Sequence, residues 1–153
     1  MKLDGVNIDD FSDTGIITLT GNSYSSNKTW VLSVTDDKGK TATKNATLQF
    51  LNRIYYGVAE IPSTIDNNFL FGLNNMLSNT KARKITVNPS SGYYIWYACP
   101  SRLGSCNFKV GGFDGGFELY STFSHTNSNG YQENYYIYKS DNPSLGNTTV
   151  EIS

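Results

Sequence analysis

Hydrophobic and polar positions alternate along most of this chain. In TWVLSV (29–34), Trp30, Leu32 and Val34 share one side of an extended backbone, and in TATKNATLQF (41–50) the alternation runs through Ala42, Ala46, Leu48 and Phe50. A period of two sends successive side chains to opposite faces, so both segments predict half-buried strands. The DDKGK stretch between them offers Gly39 for a hairpin loop that needs positive φ. IITLTG (16–21) alternates in the same way. The first segment therefore predicts three or four strands, short of the roughly seven of an immunoglobulin-like sandwich. Such a partial sheet is either the end of an Ig-like domain whose earlier strands lie elsewhere, or it packs on the segment that follows.

Between Pro62 and Asn79 the period changes. Ile65, Phe69, Leu73, Met76 and Leu77 fall at helical spacing, Ser63 or Thr64 can cap the N-terminus, and Asp66 lies in the first turn. Gly72 and several asparagines weaken this helix, so it depends on tertiary packing. From Lys84 the strand pattern returns in KITVN, YYIWYAC, CNFKV, FELYSTF, YQENYYIYK and TTVEI, separated by SSG, PSRLGS, GGFDGG, NSNG and NPSLGN. Short strands between such turns imply antiparallel pairing. The expected fold is mainly β (α+β). Residues 1–53 form a partial Ig-like β-sheet, and residues 54–153 form an antiparallel β-rich module with one short helix near 65–77. The junction is expected at about Asn52 to Gly57.

Composition narrows the function classes. Charged residues make up only 16% of the chain and aromatics 14%, so its polarity comes from Ser, Thr, Asn, Gly and Tyr. That balance suits extracellular β-proteins, whose strands need aromatic and β-branched residues and whose turns need Gly and Asn. A net charge of -1 and a pI near 5.7 provide no basic field for nucleic acid or an anionic membrane. The start, MKLDGVNIDDFSD, has no basic-then-apolar targeting pattern, and the apolar run around Tyr93–Cys99 is too short to span a bilayer. Neither nucleic acid nor membrane insertion is expected.

The candidate chemistry is sparse. KVGGFDGGF (109–117) sets Gly111, Gly112, Gly115 and Gly116 around Asp114, but it has neither the lysine nor the following helix of a phosphate loop. These glycines are expected to form a structural turn or bulge, with Phe113 and Phe117 packing inward. His125, in FSHTNSNG, is expected to be a solvated turn residue, and no G-x-S-x-G stretch accompanies it. Cys99 and Cys106 frame PSRLGS, a gap that fits two strands meeting across a loop. They cannot supply a four-ligand zinc site, and a disulfide and free thiols are equally compatible with their spacing. The acidic residues are scattered without the alternating oxygens of a calcium loop. No catalytic residue, metal site or cofactor is expected.

Aromatics are the remaining signal. In SGYYIWYAC, Tyr93, Ile95 and Tyr97 share one face while Tyr94, Trp96 and Ala98 share the other. In NYYIYKSD, Tyr136 and Tyr138 oppose Tyr135 and Ile137. Large groups on both faces imply that one set fills a core and the other meets a neighbouring subunit or domain. The best candidates for a recognition surface are Tyr94, Trp96 and Tyr97, with Arg102 in the adjoining loop. Alternation puts Trp96 and Tyr97 on opposite faces, so one of the two is expected in the core, and Tyr97 is the choice.

WVLSVTDDKGKTATKNATLQFLNRIYYG (30–57) resembles the closing strands of Ig-like modules in bacteriophage virion proteins. GYYIWYACPSRLGSCNFKVGGFDGGF (92–117) and GYQENYYIYKSDNPSLGNTTVEI (130–152) resemble the C-terminal module that follows in phage tail, baseplate or tail-fibre proteins. The resemblance implies a non-enzymatic virion component serving assembly or host attachment. Its partners would be other virion proteins, further copies of itself, or a host surface glycan or protein. It also implies that Met1 is an expression start inside a longer polypeptide. The alternative with the same composition is an adhesin or carbohydrate-binding module on the bacterial cell surface.

Overall fold

A computed structural model of the chain describes residues 2–7 and 26–153. The chain is mainly β, with one short α-helix and several antiparallel sheets among the described residues. It divides into two compact units, Met1–Phe50 and Leu51–Ser153. In the first unit, β1 (Lys2–Leu3), β2 (Val6–Asn7), β3 (Lys28–Thr35) and β4 (Thr41–Leu48) form one sheet in the order β2-β1-β3-β4. Asp4 accepts the Val31 N–H at 3.0 Å and pairs with Lys28 at 2.9 Å, an arrangement that holds its carboxyl below the usual carboxylate range. At the β3–β4 turn, Asp36 Oδ1 accepts the N–H groups of Lys38 and Lys40, and Gly39 takes φ 79°. The strand expected at IITLTG (16–21) lies outside the described residues.

The second unit contains β5 (Asn52–Ala59), α1 (Asn67–Gly72), β6 (Asn74–Ser78), β7 (Arg83–Val87), β8 (Tyr94–Pro100), a 3₁₀ turn at Ser101–Leu103, β9 (Phe108–Val110), β10 (Phe113–Asp114), β11 (Phe117–Thr126), β12 (Gln132–Ser140) and β13 (Thr148–Ile152). Its two sheets run β10-β9-β13-β7 and β11-β12-β8-β5-β6, with antiparallel pairing throughout. Asn52–Gly57, expected as a junction, lies instead within β5, an interior strand held between β6 and β8. The boundary falls before it because Ile54 and Tyr55 are buried on opposite faces of the sheet.

Two layers of apolar side chains flank the five-stranded sheet. On one face Ile54, Ile95, Tyr97, Cys99 and Tyr138 pack against Ile85, Phe108, Val150 and Ile152 of the four-stranded sheet. On the other, Tyr55, Trp96, Ala98, Tyr135 and Ile137 pack under Leu70 and Leu73, the helix and its exit. The second aromatic set is therefore covered by this chain's own helix, not by a neighbouring subunit or domain. The outer face of the four-stranded sheet is polar: Lys84 pairs with Glu151 at 2.8 Å and the Thr86 and Thr149 hydroxyls meet. This is the alternation expected of a sheet with one solvated face.

The helix is shorter than the periodicity predicts, and the strand β6 replaces its second half. Asp66 is the N-cap, in extended backbone, and its Oδ1 accepts the Phe69 N–H at 2.8 Å; neither Ser63 nor Thr64 caps it. After Gly72, Leu73 is already extended, and Asn74–Ser78 pairs with β5, Met76 opposite Ile54. Gly72, Asn74 and Asn75 propagate a helix poorly, whereas pairing with β5 satisfies the backbone groups of the segment. Leu77, assigned to the apolar helical stripe, is 56% exposed.

Gly111 (φ 57°) and Gly112 (φ 90°) form the two-residue turn of the β9–β10 hairpin, with Val110 opposite Phe113. Positive φ at both positions is what a type I′ turn requires. Phe113, expected to pack inward, is 81% exposed at this hairpin, while Phe117 stacks on Phe108 at 4.3 Å. At Gly116 (φ 81°) an added Cβ would lie 2.8 Å from Val110 Cγ2. Gly116→Ala should therefore lower the unfolding free energy by about 1–3 kcal/mol, from left-handed strain plus the clash. Asp114→Asn should shift it by less than about 0.5 kcal/mol, because the Lys109–Asp114 pair is 3.4 Å long and solvent-exposed. Denaturant titration of the three proteins checks both.

Candidate functional site

Of the residues expected as a recognition surface around β8, Trp96 and Tyr97 are core, Tyr94 is half-buried and Arg102 is exposed. Trp96 and Tyr97 both have 0% exposure, on opposite faces of the sheet. The face assignment by alternation is right, but both faces are interior. Trp96 donates its indole N–H to the Ala59 carbonyl at 3.1 Å and makes edge contacts with Phe69 and Tyr120. The Tyr97 hydroxyl donates to the Lys81 carbonyl. Tyr94 is half-buried, and its ring faces the Lys139 ammonium at 4.3 Å. Arg102, in the 3₁₀ turn, ion-pairs with Glu133 and donates to Asn52 Oδ1, which ties the β8–β9 loop to β12 and β5. All four residues are engaged within the unit.

A β-bulge decides the chemistry of β11. The pairing with β12 shifts between Leu119 and Ser121, leaving Tyr120 as the extra residue. One inserted residue reverses which face later side chains occupy. Before the bulge, Glu118 and Tyr120 face the helix side, where Glu118 pairs with the buried Lys139 at 2.9 Å. Past it, Phe123 and His125 face that same side. The bulge thus carries His125 into the core.

His125 is 2% exposed and lies within β11, not in a solvated turn. Asn67 Oδ1 accepts the Thr126 N–H at 3.0 Å, so the same oxygen, 2.7 Å from His125 Nδ1, accepts a proton there as well. Nδ1 therefore carries the hydrogen, and bare Nε2 accepts from the Tyr55 hydroxyl at 2.7 Å. Tyr135 and Phe71 place rings 5.2 Å from the imidazole. Burial first, then the Arg53 charge, lowers the His125 pKa, and burial raises that of Tyr55. An unactivated tyrosine donating to a neutral imidazole, both shielded from solvent, clamps α1 to β5 and β11. The alternation of Phe123 and His125 was the available sequence signal, but the bulge hid which face it addressed.

No protein-family model, curated protein or solved structure matches this chain. Among the described residues no helix is long and apolar enough to cross a membrane, and no three His, Cys, Asp or Glu side chains converge as a metal site.

Several clefts lie on the second unit's surface. One, of about 510 Å³, includes Arg83, Lys84, Lys109 and Glu151. Lys84, Lys109 and Glu151 share the outward face, whereas Arg83 aligns with inward-facing Ile152, so its charge does not converge with the lysines. Another, of about 390 Å³, is lined by Cys106, Asn107, Phe108, Asp114, Gly115 and Phe117. Cys99 and Cys106 are free thiols with their sulfurs 3.6 Å apart.

The His125 clamp predicts a pH dependence. The folded imidazole titrates below its ordinary 6.5, so the unfolded state binds more protons beneath that value, and stability is lost as pH falls through and below 6.5. Burial pushes the Tyr138 phenol up from 10.0 to about 12, so stability is lost in the opposite direction as pH rises above 10. Thermal melts across pH 4–11 should give a plateau between these limits, and His125→Gln should flatten the acid side. Tyr55→Phe removes the donor to Nε2 and should reduce stability by about 1–3 kcal/mol at pH 7.

Proposed function

We propose that this chain is a non-enzymatic structural component of a phage virion, from a tail, baseplate or fibre, acting in assembly or host attachment. The observation that carries the reading is the commitment of the histidine, the loop arginine and the β8 aromatics to internal ties. His125 is a buried clamp, Arg102 an intramolecular strut, and Trp96 and Tyr97 are core. The first unit serves as part of an Ig-like display module, and the second as a rigid β-sandwich that presents its loops. The resemblance of residues 30–57, 92–117 and 130–152 to virion modules points the same way.

Contact falls to side chains that stand clear of the core. Phe113 projects from the β9–β10 hairpin, and Tyr131 follows the β11–β12 turn, where Asn127 Oδ1 accepts two backbone N–H groups. A rigid aromatic at a hairpin tip gives contact area at small entropic cost. Its partner is another virion protein, a further copy of the chain or a host surface molecule.

Mass spectrometry of density-purified phage particles from the source culture tests the reading. Peptides of this chain in intact particles support it, and confinement to the bacterial envelope favours the surface adhesin instead. Phe113→Ser should leave the melting temperature unchanged within about 2 °C, because the ring is exposed, while weakening particle incorporation or cell binding by about tenfold. Unchanged incorporation and cell binding would remove the hairpin from the contact surface.

A further inference from the structure

Cys99 sits at the buried end of β8, and Cys106 enters β9 after the 3₁₀ turn, so the chain folds back and brings the sulfurs to 3.6 Å. A disulfide needs about 2.05 Å, and a χ1 adjustment at a loop cysteine can supply most of the difference. The two thiols differ in access. Cys99 is fully buried, whereas Cys106 is half-buried and lines the 390 Å³ cleft beside Gly115 and Phe117. They differ in environment as well. The Cys99 thiol hydrogen bond favours the Cys106 thiolate against its burial, with smaller help from the Lys81 ammonium and the Tyr138 hydroxyl, while that same hydrogen bond and burial push Cys99 up. Lys81 Nζ is held in place by the Ser105 carbonyl.

We propose that Cys99 and Cys106 are a reversible thiol–disulfide couple, in which Cys106 is the entry thiol and Cys99 closes the bridge, with a small dialkyl disulfide as oxidant. The Cys106 thiolate attacks one sulfur of the external disulfide, forming a mixed disulfide and releasing the first small thiolate, which takes up a proton. Cys99 then attacks Cys106 Sγ and passes its proton to the second small thiolate, which is displaced as a thiol. Two protein thiols are oxidised to one disulfide, and one external disulfide is reduced to two thiols. The bridge closes the loop that contains Arg102, so oxidation tightens the tie between that loop, Asn52 and Glu133.

The test incubates the chain with oxidised and reduced glutathione at fixed ratios, quenches with acid, alkylates and reads the intact mass. The proposal expects loss of both alkylation sites together, a mass lower by the two hydrogens, no lasting glutathione adduct, and a melting temperature raised by about 5 °C or more. Cys99→Ser should trap glutathione on Cys106, while Cys106→Ser should react about tenfold more slowly or less. If either variant fails to fold, peptide mapping of briefly exposed wild-type protein identifies which cysteine carries the first adduct. Two alkylatable thiols persisting in excess oxidised glutathione, an adduct that persists in the wild type, or first reaction at Cys99 would overturn the proposal.

Discussion

The central strands of the five-stranded sheet, β5, β8 and β12, carry buried side chains on both faces, and the rest of the second unit follows from that constraint. A sheet with one wet face alternates apolar and polar residues, whereas one enclosed on both sides must be apolar at consecutive positions. In β8 every residue from Ile95 to Pro100 is buried, with Ile95, Tyr97 and Cys99 facing the second sheet and Trp96 and Ala98 facing the helix. Two covers are therefore required. The four-stranded sheet provides one, and the short helix with the segment leading from it provides the other. A six-residue helix has little intrinsic stability, so it persists because Leu70 and Leu73 close over Trp96 and Tyr55.

A core so rich in tyrosine brings polar atoms inside, and each must find a partner. Tyr97 donates to Lys81, Tyr135 donates to the Arg53 carbonyl at 2.9 Å, and Tyr138 accepts the Cys106 N–H at 2.9 Å. Tyr55 completes the set through His125. These hydroxyls reach from the core to loops and strand ends, and they fix the positions of segments that have few apolar contacts of their own. Lys139 follows the same rule: its ammonium is held by Glu118, the Tyr94 ring and the Ser140 carbonyl. Such a buried charge adds little net stability but disfavours any register that would leave it unpaired.

The distribution of chemistry follows. His125, Trp96, Tyr97 and Lys139 are turned inward, where they hold segments in place, and the outer sheet face carries a Thr pair and an exposed ion pair worth little individually. Among the described residues, exposed aromatic area lies at Phe113 and Tyr131 beside turns, at Phe71 on the helix and at Tyr120 on the edge strand β11. The thiol pair is the exception. It joins a buried side chain to a surface cleft through one loop, so the interior and the solvent meet at a single pair of sulfurs.

Local chemistry was legible in the sequence because it depends on near neighbours. The strand segments from Lys84 onward, the Gly39 turn and the two-sided aromatic pattern of β8 and β12 follow from side-chain alternation and from residues that tolerate positive φ, whereas β5 read as a junction. Alternation says which side chains share a face, but not what covers that face. Trp96 is therefore core, and not surface, only because a helix from the same chain lies over it. The second half of the expected helix became β6 because β5 offered a pairing partner, a contact invisible to any local window. His125 was unreadable for a similar reason: the bulge at Tyr120 reverses facing, and Asn67 and Tyr55 come from distant parts of the chain. Period and turn type are properties of the backbone and its nearest side chains, and the sequence determines them directly. Burial, register and proton location are properties of what packs against each segment, and only the tertiary structure decides them.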